Sequence, residues 1–256
     1  MSGPEHRASA QTPPLPEAAR IGGYFRESVD LRFPVTASGR LRAGRAVVPR
    51  FYFGRSLATT LWRFAETLDR EAVQRLSRLA ALEDAFSASA GFPDSIPAPP
   101  ERLHAMARIL EGDSRGPGAR RALLFQLDSP GPTPRDIGAE IVPVSAVENA
   151  RGEGRDGDGG PFVPGRSLWI ARIDGVEVAR VFALRGSLGS AVELRVETRE
   201  SHRGRGLGTT LFARASLAAE DRGERVFASL PWPDRRARLF AERLGMQAIG
   251  EDCFVY

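Results

Sequence analysis

The sequence predicts an α/β protein of the α+β type, in which a mixed, mostly antiparallel sheet is flanked by helices. Three patterns in the C-terminal half support this prediction. Apolar and polar residues alternate over residues 191–196, as in a strand with one buried face. Asp174-Gly175 separates two apolar runs and is typical of a hairpin turn. Residues 209–222 have the apolar spacing of a helix, and Gly223 follows as its expected end.

The N-terminal part is predicted to form a smaller α+β subdomain over residues 21–115. Residues 1–20 are rich in Pro, Ala and charge, which is typical of a disordered tail. The subdomain's predicted elements are strands at 29–33, 46–53 and 57–64 and helices at 69–86 and 101–110. Asp69 is the expected N-cap of the first of these helices.

The main domain is predicted over residues 118–256, because a glycine cluster at residues 112–118 precedes it. Residues 151–160, RGEGRDGDGG, are polar and glycine-rich and are expected to form a mobile loop. The remaining predicted elements are strands at 122–127, 139–144, 168–173, 177–184, 191–196, 226–230, 246–249 and 253–256 and helices at 145–150, 209–222 and 234–244.

Composition excludes several classes of function. The chain contains 36 Lys and Arg and 32 Asp and Glu, and its arginines are scattered among acids, which argues against a dedicated nucleic-acid role. It has no apolar run of about 18 residues, so no membrane partner is expected. The single cysteine, Cys253, cannot form an intrachain disulfide and suits a reducing compartment such as the cytoplasm. The three histidines lie far apart in the sequence, so no metal site is predicted.

The most informative stretch runs from residue 196 to residue 209, VETRESHRGRGLGT. A predicted strand enters it, three glycines turn the chain, and a helix leaves directly. This arrangement aims free backbone N–H groups and the positive end of a helix at one point, which suits a pyrophosphate. A plain tight turn is the alternative. No Lys-Ser or Lys-Thr follows the glycines, so a Walker loop is excluded, and the GxGxxG fingerprint is not matched.

Two blocks of this sequence resemble the GCN5-related N-acetyltransferase (GNAT) superfamily. Residues 203–208, RGRGLG, resemble its Arg/Gln-x-x-Gly-x-Gly/Ala signature. Asp234-x-x-Ala237 and Leu244-Gly245-Met246 resemble the Asn-x-x-Ala and Leu-Gly-Phe landmarks of its second block. The clear resemblance covers residues 168–256. The longer N-terminal part is similar to two-part bacterial members that carry an extra α/β region.

The resemblance implies transfer of an acetyl group from acetyl-CoA directly to an amine of a small molecule or peptide in a ternary complex. It assigns the backbone of Leu194, Val196 and Thr198 to the pantetheine arm. Asp234 is also assigned to the cofactor site. The amides expected to hold the pyrophosphate are those of Arg203, Gly204, Arg205, Gly206, Leu207, Gly208 and Thr209.

Such a transfer needs a base, because an ammonium group is not nucleophilic until it is deprotonated. Glu193 is the first candidate and Glu197 the second, and both lie on the strand face opposite Val192 by alternation. The alternative is that both are solvated carboxylates or partners of nearby arginines. Family members often carry a tyrosine as general acid at the position that Ala241 occupies here.

That substitution motivates a second hypothesis, a catalytically degenerate CoA-binding sensor or structural domain. A third hypothesis is an arginine-rich interaction module that does not bind CoA. The acceptor amine and the oligomeric state stay open at this point.

Overall fold

The computed structural model describes residues 22–23, 25–26, 28, 35–42, 48–57, 59–86, 99–111, 119–127, 136–144, 166–185, 191–231 and 234–256. The strands are β1 Phe51–Ser56, β2 Thr60–Phe64, β3 Ala119–Leu127, β4 Glu140–Pro143, β5 Arg166–Ile173, β6 Val176–Arg185, β7 Ala191–Thr198, β8 Arg225–Pro231 and β9 Gln247–Val255. The helices with described ends are α1 Arg70–Ala80, α2 Leu103–Glu111, α3 Leu207–Glu220 and α4 Arg235–Arg243.

The nine strands of the described residues join one sheet in the order β2–β1–β9–β3–β8–β7–β6–β5–β4. The β7–β8 pair is parallel, and the other neighbouring pairs are antiparallel. The predicted mixed, mostly antiparallel sheet with flanking helices is therefore confirmed. Asp174 and Gly175 turn the β5–β6 hairpin with φ of 50° and 74°, as their sequence predicted.

The core between α3 and the sheet follows from the alternation in β7. Val192 and Leu194 are 0% and 2% exposed and pack with residues of α3 such as Leu211 and Phe212. Ala191 belongs instead to the cluster on the opposite face, together with Phe227 of β8. Alternate side chains of β7 therefore pack into two different hydrophobic clusters, one on each face of the sheet.

The N-terminal strands extend the same sheet rather than forming a separate one. β1 pairs with β9 along its whole length, and α1 and α2 pack over this part of the sheet with buried residues such as Leu76 and Met106. Phe25 covers the other face, where a Cβ on Gly54 or Gly250 would collide with its ring. A domain boundary near residues 112–118 stays a prediction, and the sheet is continuous across it.

One predicted pair of elements is wrong. Residues 246–249 and 253–256 were expected to be separate strands, because Gly250, Glu251 and Asp252 interrupt the apolar pattern. They belong to a single strand, β9, in which Glu251 and Asp252 are 1% and 0% exposed. Both carboxylates are hydrogen-bonded by side chains from other strands, which makes their burial possible.

Several predictions fall outside the described residues. They are the tail at 1–20, the strand at 29–33, the helix at 145–150 and the loop at 151–160. Within the described part of the chain, no helix combines the length and the apolar character needed to cross a membrane.

Candidate functional site

The sheet opens between β7 and β8. Their parallel pairing covers only residues 191–193 and 225–227. Beyond this point β7 stays paired with β6 as far as Thr198, while β8 stays paired with β3 as far as Pro231. The two strands therefore part, and the backbone of residues 194–198 has no ladder partner on β8. We call this opening the wedge. Unpaired strand backbone is a ready hydrogen-bonding edge for an extended ligand.

A glycine-rich turn lies at the end of β7 and leads into α3. A 3₁₀ turn at Glu200–His202 is followed by Gly204 and Gly206, whose φ values are 79° and 84°. Gly206 is the N-cap of α3, and no side chain caps the helix there. The first N–H groups of α3 therefore have no partner within the helix. Together with the helix dipole they form an anion-binding end beside the wedge.

Gly208 explains why α3 begins so close to β7. A Cβ at this position would lie 3.2 Å from Cγ1 of Val196 and 3.4 Å from Oγ1 of Thr198. Only a residue without a side chain allows this approach without displacing those neighbours. The last glycine of the motif therefore serves packing, and it holds the N-terminus of the helix against the end of the wedge.

The two motif arginines are exposed and lie in the turn itself. The Nε of Arg203 donates a hydrogen bond to the carbonyl oxygen of Thr198 at 3.3 Å, and its guanidinium lies 3.7 Å from Glu200. Arg203 therefore braces the turn, and Arg205 is exposed beside it. His202 shares a 2.9 Å hydrogen bond with the Ser201 hydroxyl.

The structure gives the two candidate carboxylates different environments. Glu193 is 5% exposed and pairs across the sheet with Leu184 and Phe227, at the last position before β7 and β8 part. The side chain of Glu197 is 51% exposed and forms a 3.0 Å salt bridge with Arg195. The predicted face is confirmed, since Leu194 and Val196, which alternate with the two glutamates, belong to the core that contains α3. Glu193 lies at the root of the wedge, whereas Glu197 lies near its rim.

Ala241, which stands where the tyrosine of the resembled family would be, is not accessible from the wedge. Ala241 is fully buried in the core, and its neighbour Phe240 packs edge-on against Phe212 with ring centroids 5.3 Å apart. Tyr256 follows β9, which β3 and β8 separate from β7. Its ring lies beneath the guanidinium of Arg120. Neither residue brings a hydroxyl to the wedge.

Ser229 and Asp252 form a further polar pair that no local sequence pattern predicts. Ser229 lies on β8 two residues beyond Phe227, so it shares the face of Glu193. Its Oγ donates to Oδ2 of Asp252 at 3.4 Å, and the Tyr52 hydroxyl donates to Oδ1 of the same carboxylate at 2.6 Å. The only signal in the sequence was the interruption of an apolar run by Glu251 and Asp252.

Asp234 and Cys253 have structural positions. Asp234 is the N-cap of α4, and its Oδ1 accepts a hydrogen bond from the Arg236 N–H at 2.8 Å. Its contact with a cofactor stays a prediction.

Burial, with the neighbouring Glu251 carboxylate, raises the pKa of the Cys253 thiol well above its usual range, which removes its nucleophilic form at neutral pH. Within the described residues, no group of His, Cys, Asp and Glu could hold a metal ion.

A known protein family matches the part of the chain that contains the wedge. Residues 184–255, from the end of β6 to the end of β9, match the family model described as FR47-like protein. No curated protein matches the chain significantly.

A solved structure that aligns over nearly the whole chain shares the fold. A GCN5-related N-acetyltransferase-like protein from Streptococcus suis aligns over 94% of this chain and 97% of its own, with 15% identity and a TM-score of 0.51. A GCN5-related N-acetyltransferase from Kribbella flavida aligns over 59% of this chain and 63% of its own, with 26% identity and a TM-score of 0.40. A GNAT family protein from Novosphingobium aromaticivorans aligns over 54% and 64%, with 23% identity and a TM-score of 0.43.

The chain thus spans less than two thirds of the Kribbella and Novosphingobium proteins and nearly all of the Streptococcus protein. The family match over β7, α3, β8, α4 and β9 coincides with the wedge and its glycine turn. The match over residues 184–255 supports membership of the GCN5-related N-acetyltransferase superfamily for the part of the chain that contains the wedge.

Proposed function

We propose that the protein is an N-acetyltransferase that uses acetyl-CoA as its acyl donor and an amine of a small molecule or peptide as its acceptor. One observation carries the proposal. The sheet opens between β7 and β8, and the opening ends at the uncapped N-terminus of α3. An extended ligand that bears a pyrophosphate would fill both features at once.

The residues of the wedge fit such a donor. The backbone of Leu194, Val196 and Thr198 has hydrogen-bonding groups with no partner on β8, and these would pair with the amides of the pantetheine arm. The seven amides from Arg203 to Thr209 (Arg203, Gly204, Arg205, Gly206, Leu207, Gly208 and Thr209) would surround the pyrophosphate. Arg205 is exposed in the same turn and would add a guanidinium donor. Asp234, at the start of α4, is proposed to contact the donor from the β8 side.

When bound, acetyl-CoA supplies a thioester carbonyl carbon that an amine can attack. In our proposal the acceptor enters from the face of Glu193, opposite α3. The acceptor amine must first lose a proton, because its ordinary pKa is about 10. Glu193 would take that proton directly or through a water molecule. Its position at the root of the wedge brings a carboxylate to the point where the strands part. Glu197 is the second candidate and would act from the rim, once released from Arg195.

The leaving thiolate has no tyrosine to protonate it, because Ala241 is buried in the core. We propose that solvent at the wedge supplies this proton. The same observation favours a second candidate function, in which the domain binds CoA without turnover as a sensor or structural unit. The single cysteine is consistent with a reducing compartment, and we propose the cytoplasm as the location.

Calorimetric titration with acetyl-CoA tests the proposal. We expect the wild type to bind with micromolar affinity and the Gly206→Asp variant to lose at least about 100-fold, because a carboxylate would stand in the pyrophosphate position. Gly175→Asp is the matched control, since Gly175 has a similar φ of 74° and open space around it. The control should bind like the wild type. Absence of binding to the wild type would overturn the donor assignment.

Turnover distinguishes the two candidate functions. Release of the CoA thiol, measured with an amine panel of arylalkylamines, polyamines, amino sugars and lysine peptides, is expected for an acetyltransferase. CoA binding without acetyl transfer to any of these amines would favour the sensor or structural domain. If the Gly206→Asp variant keeps its affinity for acetyl-CoA, the glycine turn does not bind the pyrophosphate.

A further inference from the structure

A second surface lies over the other half of the sheet, between α1 and α2. Each helix contributes three residues at positions i, i+3 and i+4. These residues line a groove of about 540 Å³ and are Arg75, Arg78 and Leu79 of α1 and Ala105, Arg108 and Ile109 of α2. The buried faces of the helices point elsewhere, with Leu76 and Met106 in the core. The groove thus combines exposed arginines with a partly buried apolar floor, since Leu79 and Ile109 also pack against the core of the two helices.

The arginines of this groove have no ion-pair partner among the residues that the structure describes. Arg75, Arg78 and Arg108 are exposed. Among the residues that the structure describes, no carboxylate lines the groove, and none forms an ion pair with these three arginines. Other arginines of the described residues are paired, for example Arg185 with Glu224 at 2.6 Å. Three exposed guanidinium groups around an apolar floor form a surface for a ligand that carries both carboxylates and apolar side chains.

We propose that the α1–α2 groove is a docking site for an acidic amphipathic segment of a partner protein. Charge complementarity supports carboxylates at the three arginines, and the floor of Leu79, Ala105 and Ile109 supports apolar anchors between them. The i, i+3, i+4 spacing on both walls matches the spacing of one helix face. α1 has 11 residues and is therefore about 16 Å long, so the docked segment spans about three helical turns.

Other occupants fit this groove less well. Single-stranded nucleic acid binds by stacking bases on aromatic side chains, and the described lining residues include none. Duplex DNA needs a longer basic stripe than three arginines. A second copy of this chain carries a net charge of +4 itself, which disfavours self-association through a basic groove.

The groove is separate from the wedge. α1 and α2 pack on β1, β2 and β9, whereas β3 and β8 lie between β9 and the wedge edge of β7. Docking there therefore uses none of the residues proposed to hold acetyl-CoA. The inference consequently does not depend on the acetyltransferase activity.

Fluorescence anisotropy with the full chain tests the proposal. The probe is a labelled peptide of about 14 residues with capped ends, leucines at i, i+3, i+4 and i+7, and glutamates beside them. We expect saturable binding that weakens about tenfold or more in the Arg75→Glu, Arg108→Glu double variant, because two attractive charges become repulsive. Arg70→Glu is the matched control on the same helix but outside the groove, and its affinity should stay within about twofold of the wild type.

A second variant tests the shape of the groove without changing its charge. Ala105→Trp should fill the floor and also abolish binding, while Gly206→Asp should bind the peptide like the wild type. The proposal is overturned if the wild type does not saturate, or if a lysine-for-glutamate peptide or single-stranded DNA binds as tightly. It is equally overturned if the double variant keeps its affinity, or if the peptide only drives dimerisation measured by sedimentation.

Discussion

Two regions of the sheet contain charged or hydrogen-bonding groups: the wedge between β7 and β8, and the polar centre of β9 at Glu251 and Asp252. In β9 these groups have partners within the protein, whereas in the wedge the strand backbone has none on β8. In β9 the Glu251 carboxylate is met by Arg55 at 2.9 Å and by Arg121 at 2.6 Å, with both arginines almost buried. In the wedge, the backbone of residues 194–198 has no partner on β8, and α3 begins without a side-chain cap. Polar groups that are hydrogen-bonded within the protein indicate a structural role, whereas strand backbone without a ladder partner on one side is available to a ligand.

The largest expected effect comes from breaking the polar centre of β9. Glu251→Ala would leave two nearly buried guanidinium groups without their carboxylate, so we expect the free energy of unfolding to fall by about 3 kcal/mol. Denaturant unfolding measures this change. Glu197→Ala is the control, since its exposed pair with Arg195 should contribute less than about 1 kcal/mol. Equal losses in the two variants would contradict the distinction between the two regions.

A substitution in the wedge should lower the catalytic rate and leave the stability of the fold nearly unchanged. Glu193→Gln is expected to lower kcat about 100-fold near neutral pH, because the amide cannot accept the proton of the acceptor amine. Acetyl-CoA affinity should stay nearly unchanged, since the donor is proposed to contact the backbone of β7. The pH–rate profile is the decisive measurement. A profile identical to that of the wild type would exclude Glu193 as the base and turn attention to Glu197.

The contact between α3 and β7 should give a graded, smaller effect. Gly208→Ala places a Cβ 3.2 Å from the Val196 side chain, and Gly208→Val adds two methyl groups to the same contact. We expect a loss of about 1–2 kcal/mol for the valine variant and less for alanine. Thermal unfolding and acetyl-CoA titration measured together would check this. If valine is tolerated in both measurements, the glycine is not required for packing.

The smallest effect concerns Glu224, which precedes β8 at the end of the β7–β8 pairing opposite the wedge. Burial alone would raise the pKa of Glu224, but hydrogen bonds and charge from Arg222 and Arg185 lower it below the ordinary value of about 4.5. The pairing therefore stabilises the fold fully above that ordinary value, and the contribution is lost as pH falls through the lower pKa of the folded state. Glu224→Gln should flatten this part of the stability profile measured between pH 5 and 3. An unchanged slope would contradict the assignment.

Much of the fold could be predicted because its elements carry local patterns. Asp174-Gly175 has the residues of a hairpin turn, and apolar and polar residue types alternate over residues 192–197 of β7. Asp69 was correctly predicted as an N-cap, with Oδ1 accepting from the Ala72 N–H at 2.7 Å. Capping, turn geometry and side-chain periodicity depend on a few consecutive residues, so they are visible without tertiary information.

β9 was the exception, for a physical reason. A run that contains Gly250, Glu251 and Asp252 has the composition of a turn. It is a strand because Arg55, Arg121 and Tyr52, which lie more than 100 residues earlier, supply the hydrogen bonds that its carboxylates need. Nothing within a short window of sequence reports these partners.

The sequence by itself determined the position of the glycine turn, the helix that follows it and the alternating faces of β7. The tertiary structure alone decided that β7 and β8 pair over three residues and then part, that Glu193 stands at this point, and that the N-terminal strands complete the same sheet. The division follows from the range of the interactions involved. Local patterns encode which face of an element is apolar, whereas the pairing of distant strands is settled only when the whole core packs.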